Sequence, residues 1–245
     1  MTFEKGTEMK NFVFGLFKNA KQGLLTVFGK IRVSWQPFWI SFAPAGYKVK
    51  GREIRKAMNI LQPGDVVCRR YTCYVDGWFI PGRFSHSGIY IGDGLMIHAL
   101  GDGVQKTDVI DFLQCDGFAI LRPTKEAAIR AMTTVDEHGC KVLADGDSIV
   151  DKAVWIAKSY LGYAYDFNFD ICEDYKNQDE VQNRTKTVYC HELTRSCYPD
   201  LDIPTVLPSL WNGMIRSKKR QFLAQSFFDS PDFELIYDSD FSEVR

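Results

Sequence analysis

The sequence lacks the features that mark exported and membrane-spanning chains. Its first ten residues, MTFEKGTEMK, carry two glutamates, and no small-residue cleavage site follows the next apolar stretch, so we expect no signal peptide. The longest uncharged run, residues 33–47, contains two prolines and is shorter than the ~20 apolar residues that a spanning helix needs. These absences predict a cytoplasmic or virion-associated protein.

Cysteines are present but lack the number and spacing of a disulfide framework or a metal site. The seven cysteines cannot all pair, and a chain of 245 residues buries enough surface, roughly 70–75%, to need no covalent staples. The two close pairs, in CRRYTC and CHELTRSC, have the wrong gaps for a zinc site. The sequence therefore indicates reduced thiols, and we expect no metal and no cofactor.

Positive charge is concentrated at the start of the chain. Residues 1–56 hold eleven Lys or Arg and three Glu, which gives +8, so the remainder of this chain of net charge −1 carries −9. Apolar residues also recur at helical spacing over residues 11–31. We interpret residues 1–60 as a basic, amphipathic helical extension. Its residues 1–56 are expected to contact a membrane surface, an assembly partner or the acidic part of the chain, and no nucleic acid is expected.

A change from a helical to a strand-like sequence pattern near residue 61 marks a domain boundary. The segment GREIRKAMNILQ predicts a short helix that ends at Pro63. Strand-like runs follow at 65–69, 73–80, 85–91, 95–100 and 118–122. The turn Gly92-Asp93-Gly94 joins the third and fourth runs as a hairpin. Helical spacing returns over 148–161 and 189–197. We predict an α+β domain over 61–216, with a small, mostly antiparallel sheet packed on a helix, and an acidic tail over 217–245.

Cys190 is the candidate nucleophile. Cysteine catalysis needs a thiolate, and a helix N-terminus beside an imidazolium lowers the pKa of a thiol. The last predicted helix starts at this cysteine, so unpaired backbone N–H groups should lie near the sulfur. A cysteine at a helix start is also a common packing residue, and its position alone does not distinguish the two roles.

Four histidines are candidates for the base. His191 follows Cys190 directly and points about 100° away around a helix, while His138 lies in a polar stretch that is typical of a loop. His86 opens one predicted strand and His98 lies near the end of the next, so the hairpin between them brings the two side by side. One can take the thiol proton while the other orients its ring. Burial with a hydrogen bond to the backbone is the alternative for His98.

Six motifs in a fixed order carry a family resemblance. They are LQPGDVV, FSHSGIYIGDG, MIHALGDGVQKTDVIDFL, AILRP, LGYAYDFNFD and YCHELTRSCY. Together they resemble the permuted papain-like, NlpC-type cysteine hydrolases of the YiiX kind, over residues 61–198. The resemblance implies a circularly permuted papain-like fold in which the histidine strand precedes the cysteine helix. It implies Cys190 as nucleophile, His86 as base and His98 at the third polar position. Relatives of the YiiX kind often carry a carboxylate at that third position, and the histidine is similar to the lecithin retinol acyltransferase-like branch.

The same resemblance implies a set of cleft residues. Residues 162–166 are similar to a family segment that lines the cleft ahead of the nucleophile, which implies substrate contacts for Tyr165, Asp166 and Tyr189. Tyr165 is expected on the cleft wall or on the oxyanion side, although packing explains an aromatic residue there equally well. Backbone N–H at Cys190 is the expected oxyanion donor.

Two classes of function are consistent with these residues. As an enzyme, the protein attacks an amide or ester carbonyl, forms an acyl-enzyme at Cys190 and hydrolyses it with water activated by His86. The superfamily makes peptidoglycan peptides the first expected substrate. A lipid acyl group, cleaved or transferred at a membrane, is the second, favoured by His98 and the basic extension. Otherwise the protein is a virion or assembly component that keeps the fold while its extensions bind partners.

Overall fold

The computed structural model describes most of the chain from residue 47 onward. The described residues are 31–35, 38–42, 47–72, 80, 82–135, 141–143, 148–167, 169, 186–206 and 220–241. The helix predicted over 11–31 lies outside them except for Ile31, and the strand predicted over 73–80 lies outside them except for Ile80. His138 also lies outside.

Runs of strands are separated by short helices along the described residues. The strands are β1 (Ile31–Trp35), β2 (Phe38–Phe42), β3 (Val66–Arg70), β4 (His86–Gly92), β5 (Leu95–Leu100), β6 (Gly103–Asp108), β7 (Gly117–Pro123), β8 (Thr133–Val135), β9 (Lys141–Leu143), β10 (Ala164–Tyr165), β11 (Thr187–Val188) and β12 (Phe233–Asp238). The helices are α1 (Gly51–Ile60), α2 (Val109–Leu113), α3 (Lys125–Met132), α4 (Ile149–Ser159), α5 (Cys190–Ser196) and α6 (Ala224–Phe228). None of the described helices is long and apolar enough to span a bilayer.

A six-stranded sheet forms the centre of the fold, in the order β12-β7-β3-β4-β5-β6. Every neighbouring pair in it is antiparallel. The predicted hairpin is present between β4 and β5, where Asp93 and Gly94 turn the chain with φ of 52° and 73°. Only a few residue types adopt such angles readily, which explains the Gly-Asp-Gly sequence at this turn. The prediction of an α+β fold with a mostly antiparallel sheet is confirmed.

Alternate residues of the strands enter two separate apolar clusters, one on each face of the sheet. The face that carries Cys68, Ile89 and Ile97 packs against α5 and α4, and we call it the α5 face. The face that carries Val67 and Met96 packs against α2 and α1, and we call it the α2 face. Because the period of a strand is two, neighbouring residues of β3, β4 and β5 serve different faces.

Helix α4 agrees with its prediction at both ends. Ser148 caps it by accepting a hydrogen bond from the Asp151 backbone N–H, and Asp151 returns the contact to the Ser148 N–H, an arrangement that satisfies two donors at the helix start. Ala153 and Ala157 face the core. The chain then leaves the helix through Gly162 at a φ of 84°, as expected for a glycine that ends a helix.

The N-terminal part of the chain differs from the prediction of a helical extension. Strands β1 and β2 pair as an antiparallel hairpin. Residues 47–60 also pack on the domain, because Val49 and Ala57 are buried on the α2 face and the Val49 N–H donates to the Cys115 carbonyl at 3.1 Å. Burial of these apolar side chains places the edge of the domain before residue 47 rather than at residue 60.

The C-terminal part differs from the prediction of an acidic tail. Strand β12 is the edge strand of the central sheet beside β7, and Phe227, Phe233 and Tyr237 are buried. Two of the acidic residues are neutralised by ion pairs, since Arg83 binds Asp238 and Asp240. The acidic composition therefore reflects charge pairing with the domain.

Candidate active site

Cys190 is the first residue of α5 and is only 1% exposed. Tyr189 precedes it in extended conformation, with φ −95° and ψ 169°, so the helix begins at the cysteine. Burial raises the pKa of the Cys190 thiol, although backbone N–H groups of Ser87, Cys190 and His191 and the Tyr165 hydroxyl act in the opposite direction. The helix start is therefore present as predicted, but the thiol is neutral at rest because desolvation outweighs these donors.

Tyr165 reaches the sulfur because β10 and β11 align it. The segment before it is anchored to β6, where the Val104 N–H donates to the Tyr163 carbonyl at 2.8 Å. Strand β10 then pairs in parallel with β11, so that Tyr165 lies opposite Val188. Its hydroxyl lies 3.9 Å from Cys190 Sγ. Burial raises the pKa of Tyr165 well above its ordinary value, so this group is a hydrogen-bond donor.

Asp166 and Tyr189 flank these two residues. The Asp166 N–H donates to the Val188 carbonyl at 3.2 Å, and the residue is partly exposed. Tyr189 is 1% exposed, and its hydroxyl accepts a hydrogen bond from the Phe222 N–H at 2.9 Å. The ring of Tyr189 thus packs in the core beside the site. Substrate contacts of Tyr165, Asp166 and Tyr189 stay predictions.

His86 and His98 form a hydrogen-bonded pair on the α2 face. His86 Nε2 lies 2.8 Å from His98 Nδ1, and His98 Nε2 lies 2.8 Å from Thr107 Oγ1. Gly88 makes this close packing possible, since a Cβ there would lie 2.9 Å from the Phe112 ring and 3.1 Å from His98 Cβ. The side-by-side arrangement predicted from the hairpin is therefore present, and it leaves His86 Nδ1 outside the pair.

Both imidazoles are held in the neutral form. Burial lowers the pKa of His86 well below its ordinary value, and the nearby charges of Arg69, His98 and His191 lower it further. Burial, with a smaller effect of Arg69, lowers the pKa of His98 to about 3. At neutral pH the pair therefore carries no charge, and each ring has one donor and one acceptor nitrogen.

Ser87 links the histidine pair to the cysteine helix. It follows His86 directly, but its side chain lies on the α5 face, where Oγ is 2.8 Å from His191 Nδ1 and 2.9 Å from Thr194 Oγ1. Its backbone N–H is also one of the groups that act to lower the pKa of the Cys190 thiol. The start of β4 therefore packs on the start of α5, with His86 and Cys190 approaching it from opposite faces. Direct contact between the thiol and His86 stays a prediction.

Three residues of this site were missed in the sequence. His191 had been set aside as a base, and it is instead a buried partner of Ser87, with a pKa lowered to about 3 by burial. Strand alternation around His86 was a signal for Ser87, since it requires residue 87 to face the helix layer. Arg69, which is buried beside the histidine pair, carries no local sequence signal. Within the described part of the chain, no three metal-binding side chains converge.

Comparison with known proteins gives a family and a structural neighbour. Residues 60–237 match the model of a family described as permuted papain-like amidase enzyme, YaeF/YiiX, C92 family. No curated protein sequence matches the chain. A crystal structure of the metalloprotein yiiX from Escherichia coli O157:H7 is similar at 16% identity and a TM-score of 0.46, covering 72% of this chain and 96% of that chain. The family match extends over more than half of the chain, from the end of α1 into β12.

Proposed function

The chain belongs to the permuted papain-like amidase family, and from this premise we propose that it hydrolyses amides with Cys190 as nucleophile and His86 as general base. The observation that carries the proposal is the position of Ser87. Its side chain bonds His191 and Thr194 of the helix that begins at Cys190, and the preceding residue is the histidine that His98 holds by Nε2. The dipeptide His86-Ser87 therefore takes part both in the histidine pair and in the contact with the cysteine helix.

The hydrogen bonds around His98 decide which nitrogen of His86 can act. If His86 Nε2–H donates to His98 Nδ1, then His98 Nε2–H donates to Thr107, and His86 Nδ1 carries a free lone pair. The reverse order would place a proton on His86 Nδ1 and abolish its basicity there. The first order is the one that the reaction requires, and the Thr107 hydroxyl is able to accept from His98 in it.

The reaction then proceeds in two steps. The reaction requires His86 Nδ1 to come within hydrogen-bond reach of Cys190 Sγ at the start of β4. His86 Nδ1 then takes the thiol proton while the sulfur attacks the carbonyl carbon, and the Tyr165 hydroxyl and the Cys190 N–H donate to the developing oxyanion. The C–N bond breaks, the amine leaves with the proton from His86, and an acyl-enzyme remains. Water attacks this thioester with His86 again accepting the proton, which releases the acid and restores the thiol.

We propose peptide amides of peptidoglycan as the substrate. Amide chemistry follows from the family, and the peptidoglycan choice follows from the resemblance to NlpC-type hydrolases. A second candidate is a lipid acyl ester, which is favoured by a histidine rather than a carboxylate at position 98. In an assembly protein without activity, neither the donor at the sulfur nor the aligned histidine pair would be needed.

Product analysis on substrates of both kinds tests the proposal. We expect mass spectrometry to show cleavage of purified peptidoglycan fragments, and no release of fatty acid from phosphatidylcholine vesicles. Cys190→Ser should abolish cleavage, and His86→Gln should slow it by about 10²–10⁴-fold because a general base is lost.

Cys197→Ser is the matched control, since Cys197 is buried at the end of the same helix and its Sγ donates to the Leu193 carbonyl at 3.2 Å. It should retain activity. Fatty acid release that depends on Cys190 would replace the amide with the lipid substrate. No turnover of either substrate, or full activity of Cys190→Ser, would reject the catalytic role.

A further inference from the structure

Arg69 is a buried cation that shares the α2 face with the histidine pair. It is 7% exposed and lies directly opposite His86 in the β3–β4 register. Side chains of directly opposed residues project from the same face, with Cβ atoms about 4.5–5.5 Å apart. The guanidinium and the imidazole of His86 are therefore fixed as neighbours by strand pairing itself.

The ring of Phe112 holds the guanidinium and both imidazoles in place. Arg69 Cζ lies 4.2 Å from the Phe112 ring centroid, and Nη1 donates to the Phe112 carbonyl at 2.8 Å. The same ring packs against His98 at 5.1 Å and against His86 at 5.7 Å between centroids. One aromatic ring therefore contacts the guanidinium and both imidazoles.

Arg69 differs from two half-buried arginines of neighbouring strands in having no paired carboxylate. Arg70 and Arg122 each form a salt bridge with an aspartate. No carboxylate pairs with Arg69 among the described residues, where its Nε also has no hydrogen-bond partner. Its field therefore acts on the imidazoles with no described counter-charge to cancel it.

We propose that Arg69 is a positioning residue of this site: clamped on Phe112, its guanidinium adds to the effect of burial in keeping His86 and His98 uncharged, so that His86 is a free base when the Cys190 thiol attacks. This inference rests on the proposed function. It implies a general-base reaction that starts from a neutral thiol rather than from a preformed thiolate–imidazolium pair. The groups that face His86 are Arg69 from β3, His98 from β5, Phe112 from α2 and His191 from α5.

Titration of the imidazoles by NMR tests the inference without any substrate. In the wild-type protein labelled with ¹⁵N-histidine, both rings of the pair should titrate below the ordinary value of about 6.5. Arg69→Met removes the charge and keeps an apolar stem on Phe112, so both midpoints should rise. Burial remains, and the midpoints should therefore stay below the ordinary value. Arg69→Lys keeps a charge and should leave them close to wild type.

Arg70→Gln is the control from the next position of the same strand. Arg70 is paired with Asp240 and is not among the groups that shift the pKa of His86 or His98, so its loss should lower stability without moving the midpoints. Equal midpoints in folded Arg69→Met and wild type would overturn the inference. If Arg69→Met does not fold, the wild-type titration and the Arg69→Gln variant decide. Histidine midpoints at the ordinary value in wild type would overturn the inference. Low wild-type midpoints that rise in Arg69→Gln would support it.

Alkylation of Cys190 provides a second readout that separates this inference from the proposed function. Raising the basicity of His86 favours transfer of the thiol proton, so iodoacetamide should label Cys190 faster in Arg69→Met than in wild type near neutral pH. If Cys190 proves to be dispensable for turnover while the imidazole midpoints still depend on Arg69, the proposed function fails and the effect of Arg69 stands.

Discussion

The two faces of the central sheet hold the two halves of the candidate site by different means. On the α5 face, the Cys190 sulfur lies beside the Tyr165 hydroxyl, and the Ser87–His191 hydrogen bond joins strand to helix. On the α2 face, His86 and His98 lie beside a cation. Strand β4 supplies consecutive residues to both faces. The comparison teaches that the proposed nucleophile and the proposed base are stabilised separately, and that the first two residues of one strand join their surroundings.

Acidification should affect both faces and have the largest effect on stability. The folded protein binds no proton on His98 or His191 until about pH 3, whereas the unfolded chain binds them below about pH 6.5. The contribution of both neutral rings is therefore complete above about pH 6.5 and is lost as pH falls, by about 1.4 kcal/mol per pH unit for each. Urea unfolding between neutral and acidic pH measures this slope.

Single substitutions separate the contributions of the two faces to the pH dependence of the unfolding free energy. His98→Gln, on the α2 face, and His191→Gln, on the α5 face, should each reduce the pH dependence by roughly one proton. If only one of the two variants changes the pH dependence of the unfolding free energy, the ring replaced in the other variant is protonated in the folded state. The histidines of the two faces would then differ in charge.

Loss of the ring that orients the base should have the next largest effect, on the α2 face alone. His98→Ala removes the acceptor for His86 Nε2–H, so kcat should fall by about 10²-fold or more with little change in KM. His98→Gln should recover part of the loss. Steady-state kinetics with a peptidoglycan fragment measures both, and wild-type kcat in the alanine variant would make His98 a packing residue.

Loss of the link between the faces should have the smallest effect. Ser87→Ala leaves His191 Nδ1 and Thr194 Oγ1 without this partner, at a cost of about 1–3 kcal/mol in unfolding free energy. It should also lower kcat, because β4 and α5 are no longer held in register. Ser87→Thr keeps the hydroxyl and should restore both quantities. Unchanged kcat in a destabilised alanine variant would separate the link from the chemistry.

Local patterns were sufficient to predict the hairpin that carries the histidines. Alternation of apolar residues identified β4 and β5, and the Gly92-Asp93-Gly94 turn set their pairing, so His86 and His98 could be placed together before any coordinates. The start of α5 at Cys190 was equally local. The direction of the pKa shift at Cys190 was not, because burial depends on how β4 and β11 close over the sulfur.

The two ends of the chain were harder to predict, because their structure depends on distant partners. Pairing of β1 with β2 required a register that no local pattern supplied. The alternation in β12 is weak, and its neutralising partner Arg83 is 155 residues from Asp238. The position of Arg69 beside the histidine pair could not be predicted for the same reason, since its neighbours come from three separate elements.

The position of β12 also has a consequence for synthesis of the protein. Strand β7 is complete at Pro123, but its outer edge stays open until β12 emerges more than a hundred residues later and pairs with it. A nascent chain that has already formed the sheet from β3 to β7 thus presents an unpaired edge strand, which is a template for association between chains. Slow translation of the last segment should therefore lower the yield of monomeric protein, and chaperone binding to this edge should raise it.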